Sequence, residues 1–534
     1  MKCPFPALLR LAVIILPLPV WAQDIGSRDV LLEEVTIPGM PGLQSFAWGQ
    51  HDGQWFLIGG RTDGLHRRQP FAAFLASDNN TNAYVVDPAT QEVWSASITT
   101  LPTALAEQLQ STNMEFEQRG STLYCIGGYG YSATAQDHIT HPSLTAIDLP
   151  GVMDAIRNGQ PITPFFRQLT DTRMEVTGGQ LRLMNDRFHL VGGQRFVGRY
   201  NPQGPDFGPG FIQEYTNAIR RFAIDDDGVN LAISDYWTVI DTVNLHRRDY
   251  NMLPQIMPDG SDGLTVFSGV FQYGQNIPWL NTVDIVDTTY TVVPVFEQLL
   301  NQYHTAHAPL FDSTSNTMHN VFFGGIGRYY FNGGTLMDDA AVPFVNTISL
   351  VSRDANGQLV EAAIGEMPGL LGASAEFIPL PGVPATATGV QRLDQLSGDT
   401  VAIGHIVGGI SSSTANIFFI NTGTQSDASP RVFRVLLADA AITGVEEGIL
   451  PDGAKPPVLT RLGDQLAIHV QLPQAGKARI TIVDSAGRVV RTVHNGRLAA
   501  GEQVFRIGLG DLAQGVHLVR IELPESAHTL RFVR

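Results

Sequence analysis

The chain has 534 residues, of which 43% are hydrophobic and 16% charged, and its formal net charge is −17. That length exceeds one ordinary core and predicts either two domains or a repeat array with an appendage, while the composition excludes long disordered stretches. The negative charge opposes a nucleic-acid partner, because phosphate contacts need clustered cations.

The N-terminus reads MKCPFPALLRLAVIILPLPVWAQ. An early Lys2, an apolar run over Leu11 to Leu16 and the exit Val20, Trp21, Ala22 predict a secretory signal peptide over residues 1–22. The run is too short and too proline-broken to span a bilayer, and no second apolar stretch approaches the ~20 residues needed. The expected destination is extracellular or the outer cell surface. Removal of the signal takes Cys3 with it, leaving Cys125 alone, so no intrachain disulfide is expected. Between Lys2 and Lys455 there is no lysine. Schiff-base chemistry and phosphate-loop lysines are thereby excluded from the main body.

A short apolar strand ending in small residues then recurs six times: WFLIGG, LYCIGG, FHLVGG, TVFSGV, VFFGGI and HIVGGI. Each of the first five follows a turn and another strand-like segment, which predicts a hairpin. A third strand is expected to open at Asn82, Asn217, Asn281, Asn346 and Asn416, the side-chain amide fixing the strand entry by bonding nearby backbone. More polar fourth strands such as VWSASI and YWTVID close the units. Four strands, six units and no helix of any length predict a six-bladed β-propeller over residues 23–440, whose packed sheets bury one another's faces. LLEEVTIPGMPGL near the N-terminus has the character of a fourth strand and is expected to complete the sixth blade, with RVFRVLL competing for that role.

The paired glycines and the first unit's AYVVDPATQEVW, with Tyr84 and Trp94, resemble the kelch family. The other units largely lack that Tyr and Trp and run longer than the usual ~50 residues, so extra loops are expected.

Beyond a Pro/Gly/Ala-rich linker at residues 441–457, residues 458–534 read as about seven short strands, an immunoglobulin-like β-sandwich. The turn DSAGR at 484–488, LAQGVHLVR at 512–520 and the terminal LRFVR resemble the C-terminal sorting domain of the type IX secretion system of Bacteroidota. The resemblance implies that the secretion machinery is a partner and that the protein is exported across the outer membrane.

No zinc helix, nucleophile elbow, phosphate loop or calcium loop is present, so no metal and no cofactor is expected. Counting from the hairpins places Phe46, Glu115, Glu175, Met252, His307 and Glu376 at one channel position. Glu115, Glu175, His307 and Glu376 are therefore the catalytic candidates, because adjacent carboxylates split their pKa values. His304 and His307, three apart on a strand, face opposite ways and are not expected to chelate together. The loops after the glycine pairs, with the first-strand starts, supply the ligand-binding candidates Arg61, Tyr129, Arg173, Arg195, Arg328 and Tyr329, since guanidinium forks and aromatic faces suit carboxylates, sugars and peptide tails. Three functions are compatible with this: a secreted or surface propeller that binds protein or glycan, a sugar-acid isomerase or lyase using the channel carboxylates, and a structural surface component.

Overall fold

The computed structural model describes residues 25, 28–332, 335–439, 457–462, 465–472, 474–484, 488–512, 516–523 and 527–533. The expected signal peptide and most of the expected linker lie outside them, as do residues 485–487 and 513–515 of the sorting-domain motifs. The chain divides into one unit ending at Asp439 and a second beginning at Ala440.

In the first unit, antiparallel four-strand runs follow one another in sequence. The first is Ala47–His51, Gln54–Ile58, Asn82–Asp87 and Glu92–Ser97. The second uses Thr112–Arg119, Thr122–Ser132, Ser143–Asp148 and Phe166–Thr170; the third Thr177–Met184, Arg187–Val197, Ala218–Asp226 and Leu231–Ile240. The fourth is Asn251–Ile256, Asp262–Phe267, Thr282–Val286 and Thr289–Val293; the fifth His307–Asp312, Thr317–Ile326, Phe344–Arg353 and Leu359–Glu366. The last joins Leu370–Pro379, Thr400–Ser412 and Val432–Asp439 to the N-terminal strand Arg28–Val35, paired from Arg28 with Asp439 to Val35 with Val432. Both segments that competed in the sequence are therefore used, RVFRVLL as third strand and LLEEV as fourth.

Apolar clusters sit between successive runs and join the last to the first. Phe56, Ile58, Leu123 and Cys125 share one cluster; Tyr124, Ile126, Phe188 and Leu190 another; Trp55, Leu57, Ile378 and Val407 a third that links the first run to the last. Each run thus buries both faces against neighbours, the arrangement that gives a propeller-like all-β unit its stability without disulfides. Cys125 is free and buried, and desolvation pushes its thiol pKa up, which keeps it protonated and unreactive.

The repeated glycines have a geometric cause. The second residue of the pair donates its N–H to a carbonyl at the entry of the next run: Gly60 to Ser111 (2.9 Å), Gly128 to Val176 (2.9 Å), Gly193 to Arg247 (2.8 Å), Gly269 to Gln302 (3.2 Å) and Gly409 to Leu43 (2.8 Å). At Gly127, with φ of +63°, a Cβ would lie 1.9 Å from the Val176 carbonyl oxygen. The approach of neighbouring backbones leaves room for glycine alone.

Three expectations are corrected. Two short α-helices exist, Thr103–Leu109 and Leu149–Arg157, the latter burying Leu149, Val152, Met153 and Ile156 against the first two runs. Asn416 opens no strand, because residues 413–425 form a loop and the third strand of that run begins at Val432. Of the other four, Asn82 begins its strand, Asn217 and Asn281 immediately precede theirs and Asn346 is the third residue of its own, but their amides mostly meet side chains: Asn217 meets His246 (2.9 Å), Asn281 meets Arg247 (2.9 Å) and Asn346 meets Glu366 (3.2 Å).

The second unit holds two antiparallel sheets. Val458–Leu462, Gln465–Leu472 and Gly501–Gly508 form one; Val489–Leu498, Gly476–Asp484, Val516–Glu522 and Ala527–Val533 form the other. Leu466, Ile468, Val470, Ile480, Ile482, Val519 and Ile521 supply their shared core. Along Gly501–Gly508 half-buried and exposed side chains alternate, the two-residue period of a strand with one face to solvent.

Candidate functional site

The innermost strands enter the sheets through a relay of main-chain hydrogen bonds. Asn113 donates to Ser45 (3.2 Å), Ser45 to Ser374 (3.1 Å), Ser374 to His304 (2.9 Å), His304 to Asp249 (3.1 Å) and Asp249 to Gly178 (2.8 Å). Ser45, Asn113, Gly178, Asp249 and Ser374 all have φ between 49° and 68°, the left-handed region favoured by glycine and small polar residues. These six positions are structurally equivalent. Two residues further on stand Ala47, Glu115, Gln180, Asn251, Ala306 and Glu376.

The relay corrects the register counted from the hairpins. Glu115 and Glu376 do share a level, but Glu175 lies three residues before Gly178 and His307 three after His304, so neither belongs to it. His307 is one residue past its level, and a single-residue slip reverses the face of a side chain; Glu175 precedes the innermost strand of its run, which begins at Thr177. Glu175 instead pairs with Arg195 at 2.9 Å.

On one side of the relay is a small chamber of about 40 Å³, lined by Glu115, Glu376, Arg182, Asp249 and His304 among others. That volume holds roughly two or three waters and no organic substrate. Glu115 is buried, accepts the Gly179 N–H at 2.7 Å through Oε1, and leaves Oε2 without a hydrogen-bond partner. Glu376 contacts His304 Nε2 at 3.3 Å and accepts from Trp48 Nε1 at 3.3 Å. Burial raises the Glu115 pKa well above the carboxylate range and pushes Glu376 up to about 8, with Arg182 opposing the shift at Glu376. Burial and the Arg182 charge lower His304 to about 4 and His307 to about 3. His307 is held by the Thr305 carbonyl oxygen (2.8 Å) and lies 3.4 Å from Arg182 Nη2. At neutral pH burial therefore favours the uncharged forms of Glu115, Glu376 and His304 beside the Arg182 guanidinium. Among the described residues no three His, Cys, Asp or Glu side chains converge as a metal set.

On the other side opens a cavity of about 630 Å³. Its walls come from the residues directly after the glycine pairs, Arg61, Tyr129, Gln194, Ile326 and Ile410, from Phe271, two residues after Gly269, and from three loops at residues 61–75, 198–212 and 413–425. Of the ligand-binding candidates, Arg61 and Tyr129 line it. Arg61 is buried, chelated by Asp63 (2.7 and 2.8 Å), bonded to Asn79 (2.9 Å) and stacked on Phe74 at 5.2 Å. Tyr129 donates to the Gly198 carbonyl oxygen (2.7 Å) and accepts from the Tyr200 N–H (2.9 Å), so its hydroxyl positions the 198–212 loop.

The remaining candidates lie elsewhere. Arg173 is held by Asp171 (2.5 Å) over the Tyr236 ring, Arg195 by Glu175 and Glu214, and Arg328 by Asp338 (2.6 Å) beside Tyr329. Arg195 follows wall-lining Gln194 by one residue, and alternation along the strand turns it outward.

The cavity also gathers residues that no sequence motif marks: His66, Arg68, Phe74, Tyr200, Arg248, Asp249, Tyr303 and Phe418. His66 packs against Tyr200, Phe74 and Phe418, and burial with nearby Arg248 lowers its pKa to about 4. Arg248 pairs with Asp249 and donates to the Tyr215 hydroxyl (3.1 Å). Burial works against its charge, yet Tyr215 and Asp249 hold its pKa above the ordinary arginine value. The aromatic loop residues sit in insertions whose folding back no local pattern announces.

No protein-family model matches the chain, and no curated protein matches it. Among solved structures it is similar to one titled as the structure of YjhT, at 10% identity and a TM-score of 0.43, covering 76% of this chain and 99% of that one. It is also similar to a fungal alcohol oxidase of the AA5 family in complex with copper, at 10% identity and a TM-score of 0.36, covering 94% and 99%. Nothing about ligand or chemistry passes from either to this chain. The strand pairing and the inter-sheet cores are what assign it an all-β, propeller-like fold.

Proposed function

We propose that residues 28–439 form a six-bladed propeller of the kelch type that acts outside the cell as a recognition module for protein or glycan ligands. The observation that carries this reading is the 630 Å³ cavity, concave, walled by Phe74, Phe196, Tyr200, Phe211, Phe271 and Phe418, with the Arg248 and Asp249 pair among its lining residues. Apolar walls with a few fixed polar groups are the usual composition of a ligand site. An isomerase or lyase working through the channel carboxylates is disfavoured, because the chamber that contains Glu115 and Glu376 admits only waters and because Glu175 and His307 are placed elsewhere. A purely structural role leaves the cavity without a use.

The second unit, in this reading, is an immunoglobulin-like sorting domain that hands the protein to the type IX secretion machinery, and residues 1–22 are a cleaved export signal. Its support is the sequence resemblance together with a self-contained two-sheet core.

The test is a screen of the full chain against a glycan array and a displayed peptide library, repeated with Tyr200→Ala. The reading expects a ligand whose binding weakens at least tenfold in the variant while the melting midpoint is kept. Ligands bound equally well by both proteins would place recognition away from the cavity and end the proposal. For export, deletion of residues 440–534 should leave the protein in the periplasm of a host with that secretion system; unchanged surface delivery removes the sorting assignment.

A further inference from the structure

The three loops around the cavity interlock. The Arg68 guanidinium bonds the Pro202 carbonyl oxygen and lies over Phe418 and Phe419 at 5.5 and 5.4 Å. Asn421 donates to the Leu65 and His66 carbonyl oxygens at 2.6 and 3.0 Å, and Arg199 donates to the Phe71 carbonyl oxygen at 2.6 Å. The result is one rim built from residues 61–75, 198–212 and 413–425.

That rim is apolar where it meets solvent. Phe71, Phe207, Ile212, Phe419 and Ile420 are each between 55% and 70% exposed, although only the interior of the cavity would need apolar walls to hold a buried ligand. Large exposed apolar side chains clustered round a concave site mark a surface that is covered in use. The rim is also cationic on an acidic protein. Arg61 and Arg67 are matched by Asp63 and Asp78, whereas among the described residues neither Arg68 nor Arg199 meets a carboxylate, and Asp206 is the one acid of the 198–212 loop.

We infer that the rim and cavity dock an acidic polypeptide segment, which plants an aromatic or aliphatic side chain between Phe418, Phe211 and Tyr200 while its carboxylates face Arg68 and Arg199. This rests on the recognition reading above and selects the ligand class within it. Aromatic side chains together with arginine are enriched at the cores of protein–protein interfaces. A glycan platform would instead set ring faces toward solvent beside neutral polar groups, whereas the side chains that protrude here, Phe71, Phe207, Ile212, Phe419 and Ile420, are apolar. An anionic bilayer would meet the field of the whole −17 chain, whereas a short segment within about 8 Å of the rim, one screening length, meets mainly the arginines.

The experiment is selection of random 12-residue phage-displayed peptides on the full chain, followed by titration of the enriched peptides against an Arg68→Gln/Arg199→Gln variant and against Phe419→Ser. The expected peptides carry Asp or Glu beside Phe, Trp or Leu. They bind at least tenfold more weakly to each variant and lose affinity as salt rises, with unchanged melting midpoints. Peptides without acidic enrichment, or affinities indifferent to both variants, overturn the inference. Flotation with phosphatidylglycerol vesicles in place of peptide binding overturns it too. Glycan binding that is lost in Tyr200→Ala, with no peptide enriched, overturns this inference and leaves the recognition reading standing; no ligand from any library overturns both.

Discussion

The Glu376 carboxyl lies 3.3 Å from Nε2 of His304, and the two are driven toward neutrality from opposite directions, Glu376 up to about 8 and His304 down to about 4. Burial is the first cause of both shifts. Their contact is a neutral one at pH 7.

Glu376 binds its proton more tightly in the folded chain than in the unfolded one. The folded state therefore loses stability as pH rises from the ordinary carboxylate range through about 8, each tenfold difference in proton affinity being worth about 1.4 kcal/mol. Glu376→Gln keeps the shape without the titration. Melting curves should show the wild type falling more steeply than the variant between about pH 5 and pH 8; parallel curves would refute the assignment.

His304 and His307 have the opposite sign, since a base with a depressed pKa folds best unprotonated. Stability should fall as pH drops from about 6.5 toward 4 and 3, where the folded histidines finally take protons. In acid titrations followed by near-ultraviolet circular dichroism, His307→Gln should shift the midpoint to lower pH.

Gly127 sits where the second run meets the third. Gly127→Ala combines a positive φ with a clash against the Val176 carbonyl oxygen and should cost about 3 kcal/mol or more. Gly120 has a similar φ of +61° but no neighbour within 4 Å, so Gly120→Ala should cost only about 1 kcal/mol. Urea midpoints of the two variants separate the steric from the conformational contribution.

Arg353 and Asp284 form a buried pair between the fourth and fifth runs, with contacts of 2.5 and 2.7 Å and a further bond to Thr265. Arg353→Ala strands the Asp284 charge and should destabilise by roughly 3 to 5 kcal/mol. The double variant with Asp284→Ala should recover a large part of that loss. A double-mutant cycle in denaturant reports the coupling.

The recurring antiparallel strands, the strand character of LLEEV and the change of texture before the second unit were legible because they rest on local patterns: glycine pairs, alternation and turn residues repeat in the chain itself. The wall residues after those glycines followed from the same pattern, which is why Arg61 and Tyr129 were found. Arg195, Arg328 and Glu175 were placed by neighbours in space. Each met a carboxylate or guanidinium that no spacing foretells, and strand alternation turned Arg195 outward.

By itself, then, the sequence determined which segments pair as strands and where backbones must approach closely, since both depend on residues a few positions apart. Tertiary structure alone decided the register of the inner strands, set by main-chain bonds such as that from His304 to Asp249, and with it which ionisable groups share a chamber. It also decided that the loops at 61–75, 198–212 and 413–425 fold over one cavity, because the contacts that hold them join residues more than a hundred positions apart.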